Sequence, residues 1–247
     1  MALISEKDAQ TLKDRFKREL KRDVNIRLFN QKTLGLTIPG RECVHCEDTE
    51  HLMEELAALS PKLHLEVKDF YTQTEEATEA GVERIPATVM SAGDAANVKF
   101  YGIPMGYEFG TMIEDLVTLS RGVSPLTLAS RKKLKQLKDN VHIQVFVTPT
   151  CVYCPQVARL AHAMAMENAN IVADVVEVQE FPMLAQRYMV SGVPKTVINN
   201  SVQFVGAIPE DAFVDKVLEA AGISPEDQES AALSVAPELG PSTRSMG

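Results

Sequence analysis

Apolar and polar residues alternate over Val24-Asn25-Ile26-Arg27-Leu28-Phe29 and again over Val141-His142-Ile143-Gln144-Val145-Phe146-Val147. Period-two patterns of this kind predict strands. After each strand the period lengthens. Leu52, Leu56 and Leu59 in the first half, and Val157, Leu160, Ala161, Met164 and Ala165 in the second, recur at three- and four-residue spacing and predict helices. Short strands follow at Leu63 to Val67 and Ile171 to Val178. Helical segments follow these, around Glu75 to Ala80 and Pro182 to Tyr188. Each half then has two further strands, at Thr88–Met90 and Val98–Gly102 and at Thr196–Ile198 and Val202–Gly206, and a closing helix.

The order strand, helix, strand, helix, strand, strand, helix occurs twice. It implies an α/β fold, a mixed sheet flanked by helices on both faces. A helix precedes each half. Leu12, Phe16 and Leu20 mark one face of the first, and Ser124-Pro125 reads as an N-cap followed by proline at the first helical position of the second. The expected division is a unit over 1–123, a unit over 124–224, and a disordered tail over 225–247 rich in Ser, Pro, Glu and Ala.

At 247 residues the chain has room for two modest cores. No apolar run approaches the roughly 20 residues of a membrane helix, and the polar start lacks the apolar stretch of a secretory signal. The expectation is a cytoplasmic protein with no membrane partner. A net charge of −9 argues against nucleic acid as a partner. Basic clusters at 13–22 and 131–138 fall within helical patterns and read as solvated faces.

Four cysteines form two Cys-x-x-Cys motifs, Cys43–Cys46 and Cys151–Cys154. Cys43 precedes Pro86 of an Ile85-Pro86 pair by 43 positions, and Cys151 precedes Pro194 of a Val193-Pro194 pair by the same 43. Shifted by 108, residues 43–89 align with 151–197 without a gap and with 11 of 47 positions identical. The chain is therefore a duplicated dithiol module.

In a reducing compartment such pairs are more often catalytic or metal-binding than structural. In the catalytic reading, a cysteine at a helix start is stabilised as the thiolate that attacks a disulfide. The cysteine three positions on, one helical turn away, resolves the mixed disulfide. Cys43 and Cys151 would attack; Cys46 and Cys154 would resolve. X-Pro bonds can be cis at modest cost, and a cis bond beside the sulfurs would leave the preceding backbone free to pair with an extended substrate. Ile85, Pro86, Val193 and Pro194 are therefore candidate substrate-binding residues.

The tandem motifs, the run Val145-Phe146-Val147-Thr148-Pro149-Thr150-Cys151-Val152-Tyr153-Cys154-Pro155, and Gly192-Val193-Pro194-Lys195 resemble the glutaredoxin-like protein disulfide oxidoreductases of thermophilic archaea and bacteria. The resemblance covers about residues 5 to 223. It implies two tandem thioredoxin-like folds. It also implies a protein that reduces, forms or rearranges protein disulfides through its own redox-active disulfides, with no bound cofactor. The implied partners are protein disulfide substrates and an NADPH-dependent thioredoxin-reductase-like flavoprotein.

The chain departs from the pattern in places. Thirteen residues separate Phe29 from Cys43 against four between Phe146 and Cys151, so the first site is approached through a longer loop, Asn30 to Glu42. Six positions before each first cysteine, where thioredoxins commonly carry a buried acid, stand Thr37 and Val145. Proton transfer must then be managed differently. Four acids, Glu42, Glu47, Asp48 and Glu50, crowd the first motif, and none lies between 141 and 164 around the second, which makes Cys151 the expected better nucleophile.

Two alternatives stand beside this reading. Four thiolates could hold a structural zinc, although 104 residues separate the motifs where a small zinc module has about 15 to 20. The same fold could also relay electrons to one dedicated peroxidase, with a peroxiredoxin as partner, as the N-terminal part of alkyl hydroperoxide reductase flavoproteins does. His45 is either an exposed residue at a helix start or a group stabilising a neighbouring thiolate. Tyr153 resembles the glutaredoxin Cys-Pro-Tyr-Cys motif, with Val152 in place of its proline. The other histidines read as surface or edge residues, and the methionines as core filler.

Overall fold

The computed structural model describes residues 2–31, 42–93 and 97–224. The first half runs α1 (Glu6–Glu19), β1 (Val24–Asn30), α2 (Cys46–Ala57), β2 (Leu63–Asp69), α3 (Thr74–Glu79), β3 (Ala87–Ser91), β4 (Val98–Tyr101) and α4 (Tyr107–Arg121). The second runs α5 (Leu128–Leu134), β5 (Val141–Val147), α6 (Cys154–Glu167), β6 (Ile171–Glu177), α7 (Pro182–Arg187), β7 (Lys195–Ile198), β8 (Val202–Val205) and α8 (Glu210–Ala220). These are two tandem thioredoxin-like folds. Residues 32–41 of the long loop before Cys43, and the stretch 225–247 read as a tail, lie outside the described residues.

The halves do not form separate sheets. Among the described residues, eight strands make one sheet in the order β2-β1-β3-β4-β6-β5-β7-β8. Within each half the two leading strands pair in parallel, and the last two complete an antiparallel ladder. The halves join where β4 pairs in parallel with β6, Phe100 opposite Val175 and Tyr101 opposite Val176. Strand periodicity does not disclose this seam, because an edge strand and a strand paired to another unit carry the same alternation.

Alternation along the strands divides the core in two. Val24, Ile26 and Leu28 of β1 and Val141, Ile143 and Val145 of β5 face the larger core, into which α1, α2, α4, α5, α6 and α8 pack. Phe29, Val89, Tyr101, Phe146, Val176 and Val197 face a smaller core covered by α3 and α7. Each fully buried side chain of this size contributes about 1.5–3 kcal/mol. The dithiol helices α2 and α6 thus lie on the same face as the closing helices α4 and α8.

Three expectations are corrected. The helix expected to begin at Ser124-Pro125 begins at Leu128. Its N-cap is Thr127, which accepts from the Ser130 amide and is itself held by Glu210 Oε1. Ser124 instead accepts from the Leu126 amide in a turn. His162 is no surface residue: it is wholly buried, because Asp115 supplies it with a partner inside the protein. Met53, Met90, Met112 and Met164 are core, but Met105, Met183 and Met189 are exposed.

Candidate dithiol active sites

Each dithiol sits where a central strand hands over to a helix on the larger-core face. Cys43 is half-buried, Cys46 is buried at the first position of α2, and the two are joined by a disulfide with Cα atoms 5.4 Å apart. Cys151 and Cys154 repeat this at α6, with the same 5.4 Å separation. Each cysteine pair is joined within itself rather than gathered into one four-sulfur group. Among the described residues no cluster of three or more metal-ligating side chains is present.

The caps of both helices, His45 and Tyr153, make no side-chain capping hydrogen bond. The leading backbone N–H groups are therefore left for the sulfurs, which is the environment that favours a thiolate. At the second site this contact is explicit, since the Cys154 amide donates to Cys151 Sγ at 3.1 Å. Pro155 in the first turn costs no helical hydrogen bond.

The proline loops meet these helix starts across the sheet. The Ile85–Pro86 and Val193–Pro194 peptide bonds are both cis. Pro86 and Pro194 are buried, each just before an antiparallel partner of the strand that feeds the dithiol. Phe29 pairs with Ala87, which sets Asn30 beside Pro86; Phe146 pairs with Lys195, which sets Val147 beside Pro194. A glycine amide donates to each proline carbonyl, Gly102 at 2.9 Å and Gly206 at 2.8 Å. His45 is half-buried, whereas Val152 and Tyr153 are exposed.

Beyond the motifs, buried polar groups differ between the sites. At the first, Asn30 is buried and donates through Nδ2 to the Cys46 carbonyl at 2.9 Å and to Glu50 Oε2 at 2.8 Å. At the second, the acid comes from the other half of the chain. The Tyr107 amide donates to the Pro149 carbonyl, two residues ahead of Cys151. Gly106, at φ +59°, is needed there, because a Cβ would lie 2.2 Å from that carbonyl oxygen. Glu108 follows in the first turn of α4, which packs along α6. Glu108 is wholly buried and neither carboxyl oxygen has a hydrogen-bond partner of good geometry. Burial pushes its pKa up to about 7, against the opposing influence of the Thr111 hydroxyl and of His162.

Farther along the same helix pair, Asp115 Oδ2 lies 2.6 Å from His162 Nδ1, and the imidazole Nε2 meets the Lys99 carbonyl of β4 at 3.1 Å. Burial raises Asp115 above the usual carboxylate range. Burial opposes the imidazolium, but Asp115 outweighs it and lifts His162 above its ordinary value.

The thioredoxin domain family model matches residues 141–219. A protein disulfide oxidoreductase from Aeropyrum pernix K1 superposes with a TM-score of 0.80 and 33% identity, covering 89% of this chain and 94% of that one. This chain belongs to the protein disulfide oxidoreductase family. The N-terminal domain of the alkyl hydroperoxide reductase AhpF from Enterococcus faecalis has the same fold, with a TM-score of 0.76 over 86% of this chain at 23% identity. Among curated sequences, the corresponding alkyl hydroperoxide reductase protein of Staphylococcus aureus is 25% identical over 154 residues. That match takes in 62% of this chain but only 28% of the relative's length.

For this disulfide oxidoreductase family member, the motif reading located the cysteines and prolines but missed Asn30, Glu108 and the pair Asp115–His162. Asn30 carries a weak local signal, a polar residue at the end of a strand whose counterpart is Val147. Glu108 and Asp115 carry none, since they lie on α4 of the first half and reach α6 only through the packing of the two helices. No acid lies within ten positions of Cys151 and Cys154 along the sequence, and Glu108 enters from the first half beside the residue that bonds the Pro149 carbonyl. Among the described residues no helix is long and apolar enough to cross a membrane.

Proposed function

We propose that this chain reduces, forms or rearranges disulfides in protein substrates, with Cys43 and Cys151 as attacking thiols and Cys46 and Cys154 as resolving thiols. The observation that carries this reading is the duplicated site: a half-exposed cysteine disulfide-bonded to a buried one at an uncapped helix start, facing a proline loop. In the reductive direction the attacking thiolate bonds to one substrate sulfur and expels the other as a thiolate, which takes up a proton. The resolving thiolate then attacks the first cysteine, releasing the second substrate thiolate and closing the protein disulfide. Two electrons and two protons pass from the dithiol to the substrate. Ile85–Pro86 and Val193–Pro194 would present backbone to an extended substrate segment. Glu108 would accept the proton of the resolving Cys154 and return it in the reverse direction, a task its raised pKa suits near neutrality.

An NADPH-dependent thioredoxin-reductase-like flavoprotein would supply the electrons. The likeness to the alkyl hydroperoxide reductase AhpF supports a second reading, in which the chain relays electrons to a peroxidase such as a peroxiredoxin. NADPH-coupled insulin reduction, with each dithiol replaced in turn by serines, separates the two. Turnover of insulin supports the general oxidoreductase. Inertness toward insulin and toward small disulfides, with transfer to a peroxiredoxin, supports the relay.

A further inference from the structure

Glu180 belongs to the second unit but stands against the segment that holds the proline loop of the first dithiol. It follows β6, and its Oε1 accepts from the Ile103 amide at 2.7 Å. The residue before Ile103 is Gly102, whose own amide holds the Pro86 carbonyl. The contact is close-packed: at Gly102, φ +97°, a Cβ would fall 2.6 Å from Glu180 Oε1 and 2.9 Å from Glu177 Cβ. The next residue, Phe181, stacks edge-on against Tyr101 of β4, ring centres 6.4 Å apart, which anchors the loop on the first unit. Gly206 makes the same bond to Pro194 at the second site, yet nothing lies within 4 Å of the place its Cβ would occupy. Among the described residues, only the first site has its proline loop braced by a carboxylate from across the seam.

We propose that Glu180 is a positioning residue of the first dithiol, its charge setting how readily Cys43 ionises while its hydrogen bond holds the Pro86 loop. The titratable groups facing it are Glu177 on its own loop and His45 at the start of α2. Tyr101 of β4 packs against the neighbouring Phe181, and the Arg84 guanidinium lies 5.0 Å from the Tyr101 ring centre. Glu177 accepts from the Gln179 and Glu180 amides and so fixes the loop. Burial raises both carboxyls; the Ile103 amide and His45 oppose this at Glu180, and the loop amides and His45 at Glu177. His45 therefore links the pair to the Cys43–Cys46 helix start. When Glu180 loses its proton, the new negative charge opposes a thiolate on Cys43. The first dithiol is thereby restrained as pH rises.

The inference rests on the disulfide-exchange reading of Cys43 and is tested apart from it. In a Cys151→Ser/Cys154→Ser background, iodoacetamide alkylation of reduced Cys43 is followed from pH 5 to 9, with and without Glu180→Gln. The glutamine variant is expected to react faster than its parent by a ratio that grows as pH rises and reaches at least threefold at the alkaline end. Glu180→Asp is expected to keep the parental profile. A rate ratio independent of pH, aspartate behaving as glutamine, or an equal change at Cys151 in a Cys43→Ser/Cys46→Ser background overturns the proposal. Should the glutamine variant not fold, carboxyl NMR of the wild-type side chain carries the test. By reciprocity, reducing Cys43–Cys46 must move the Glu180 titration, and identical titrations in the two redox states overturn it. Failure of the disulfide-exchange reading would look different, as inert insulin and small-disulfide substrates with the Glu180 linkage intact.

Discussion

The Tyr107 amide donates to the Pro149 carbonyl across 3.0 Å, which ties the start of α4, in the first unit, to the segment leading into the second dithiol. One residue further on, this bond delivers Glu108 to a buried place along α6. The tie explains how a site without the usual upstream acid obtains a carboxyl group: Val145 stands six positions before Cys151, and Glu108 arrives through space instead.

Glu108 makes stability depend on pH. Its carboxyl pKa rises from 4.5 to about 7 on folding, so the folded state holds the proton more tightly. Its stabilising contribution is complete below the unfolded value and is lost as pH rises through about 7, a difference of about 3 kcal/mol from this shift. Urea denaturation of the oxidised protein should show wild type losing this much more than Glu108→Gln between pH 4.5 and 8. Parallel losses would mean that the carboxyl is not held neutral.

The pair Asp115–His162 is buried on both sides, so removing one partner strands the other. His162→Leu is expected to destabilise by about 3–5 kcal/mol. Adding Asp115→Asn should recover part of the loss. A double-mutant cycle on denaturation free energies measures the coupling, and additivity would contradict the geometry.

Asn30 is the buried support specific to the first site. Asn30→Val, which installs the residue found at the matching place of the second, removes the bonds to the Cys46 carbonyl and Glu50. A loss of about 1–3 kcal/mol is expected, read by urea denaturation. The Cys151–Cys154 reduction rate should not change.

What could be read from the chain follows its locality. Period-two and period-3.6 patterns gave the strands and helices because each face reports its burial within a few residues. The paired cysteines and prolines were legible because the repeat holds them at one offset. Glu108, Glu180 and His162 were not legible. Each acts across the β4–β6 seam, and a parallel pairing between halves leaves no trace in the alternation of Val98–Tyr101 or Ile171–Glu177. The acids around Cys43 were visible because they are neighbours in sequence, while those from the second unit were not. A charge argument made along the chain therefore counted only part of each site's field.

That field should set the order of reactivity of Cys43 and Cys151, the two proposed attacking thiols. Around Cys43 stand Glu42, Glu47, Asp48 and Glu50 in sequence, while Glu177 and Glu180 reach its neighbour His45 from across the seam. Cys151 has the Cys154 amide on its sulfur, and Glu108 follows Tyr107, whose amide bonds the Pro149 carbonyl two residues ahead of Cys151. Below pH 7 Glu108 is mostly neutral and does not oppose a thiolate, so Cys151 should alkylate faster than Cys43 at pH 6. As pH rises through about 7, Glu108 gains its charge and part of that advantage is lost. Glu108→Gln should therefore leave Cys151 reactivity nearly unchanged at pH 6 and raise it at pH 8. Stopped-flow alkylation of Cys43→Ser and Cys151→Ser variants, each with and without Glu108→Gln, measures all four rates. Faster reaction of Cys43 at pH 6 would show that His45 outweighs the carboxylates around it and would reverse the ranking.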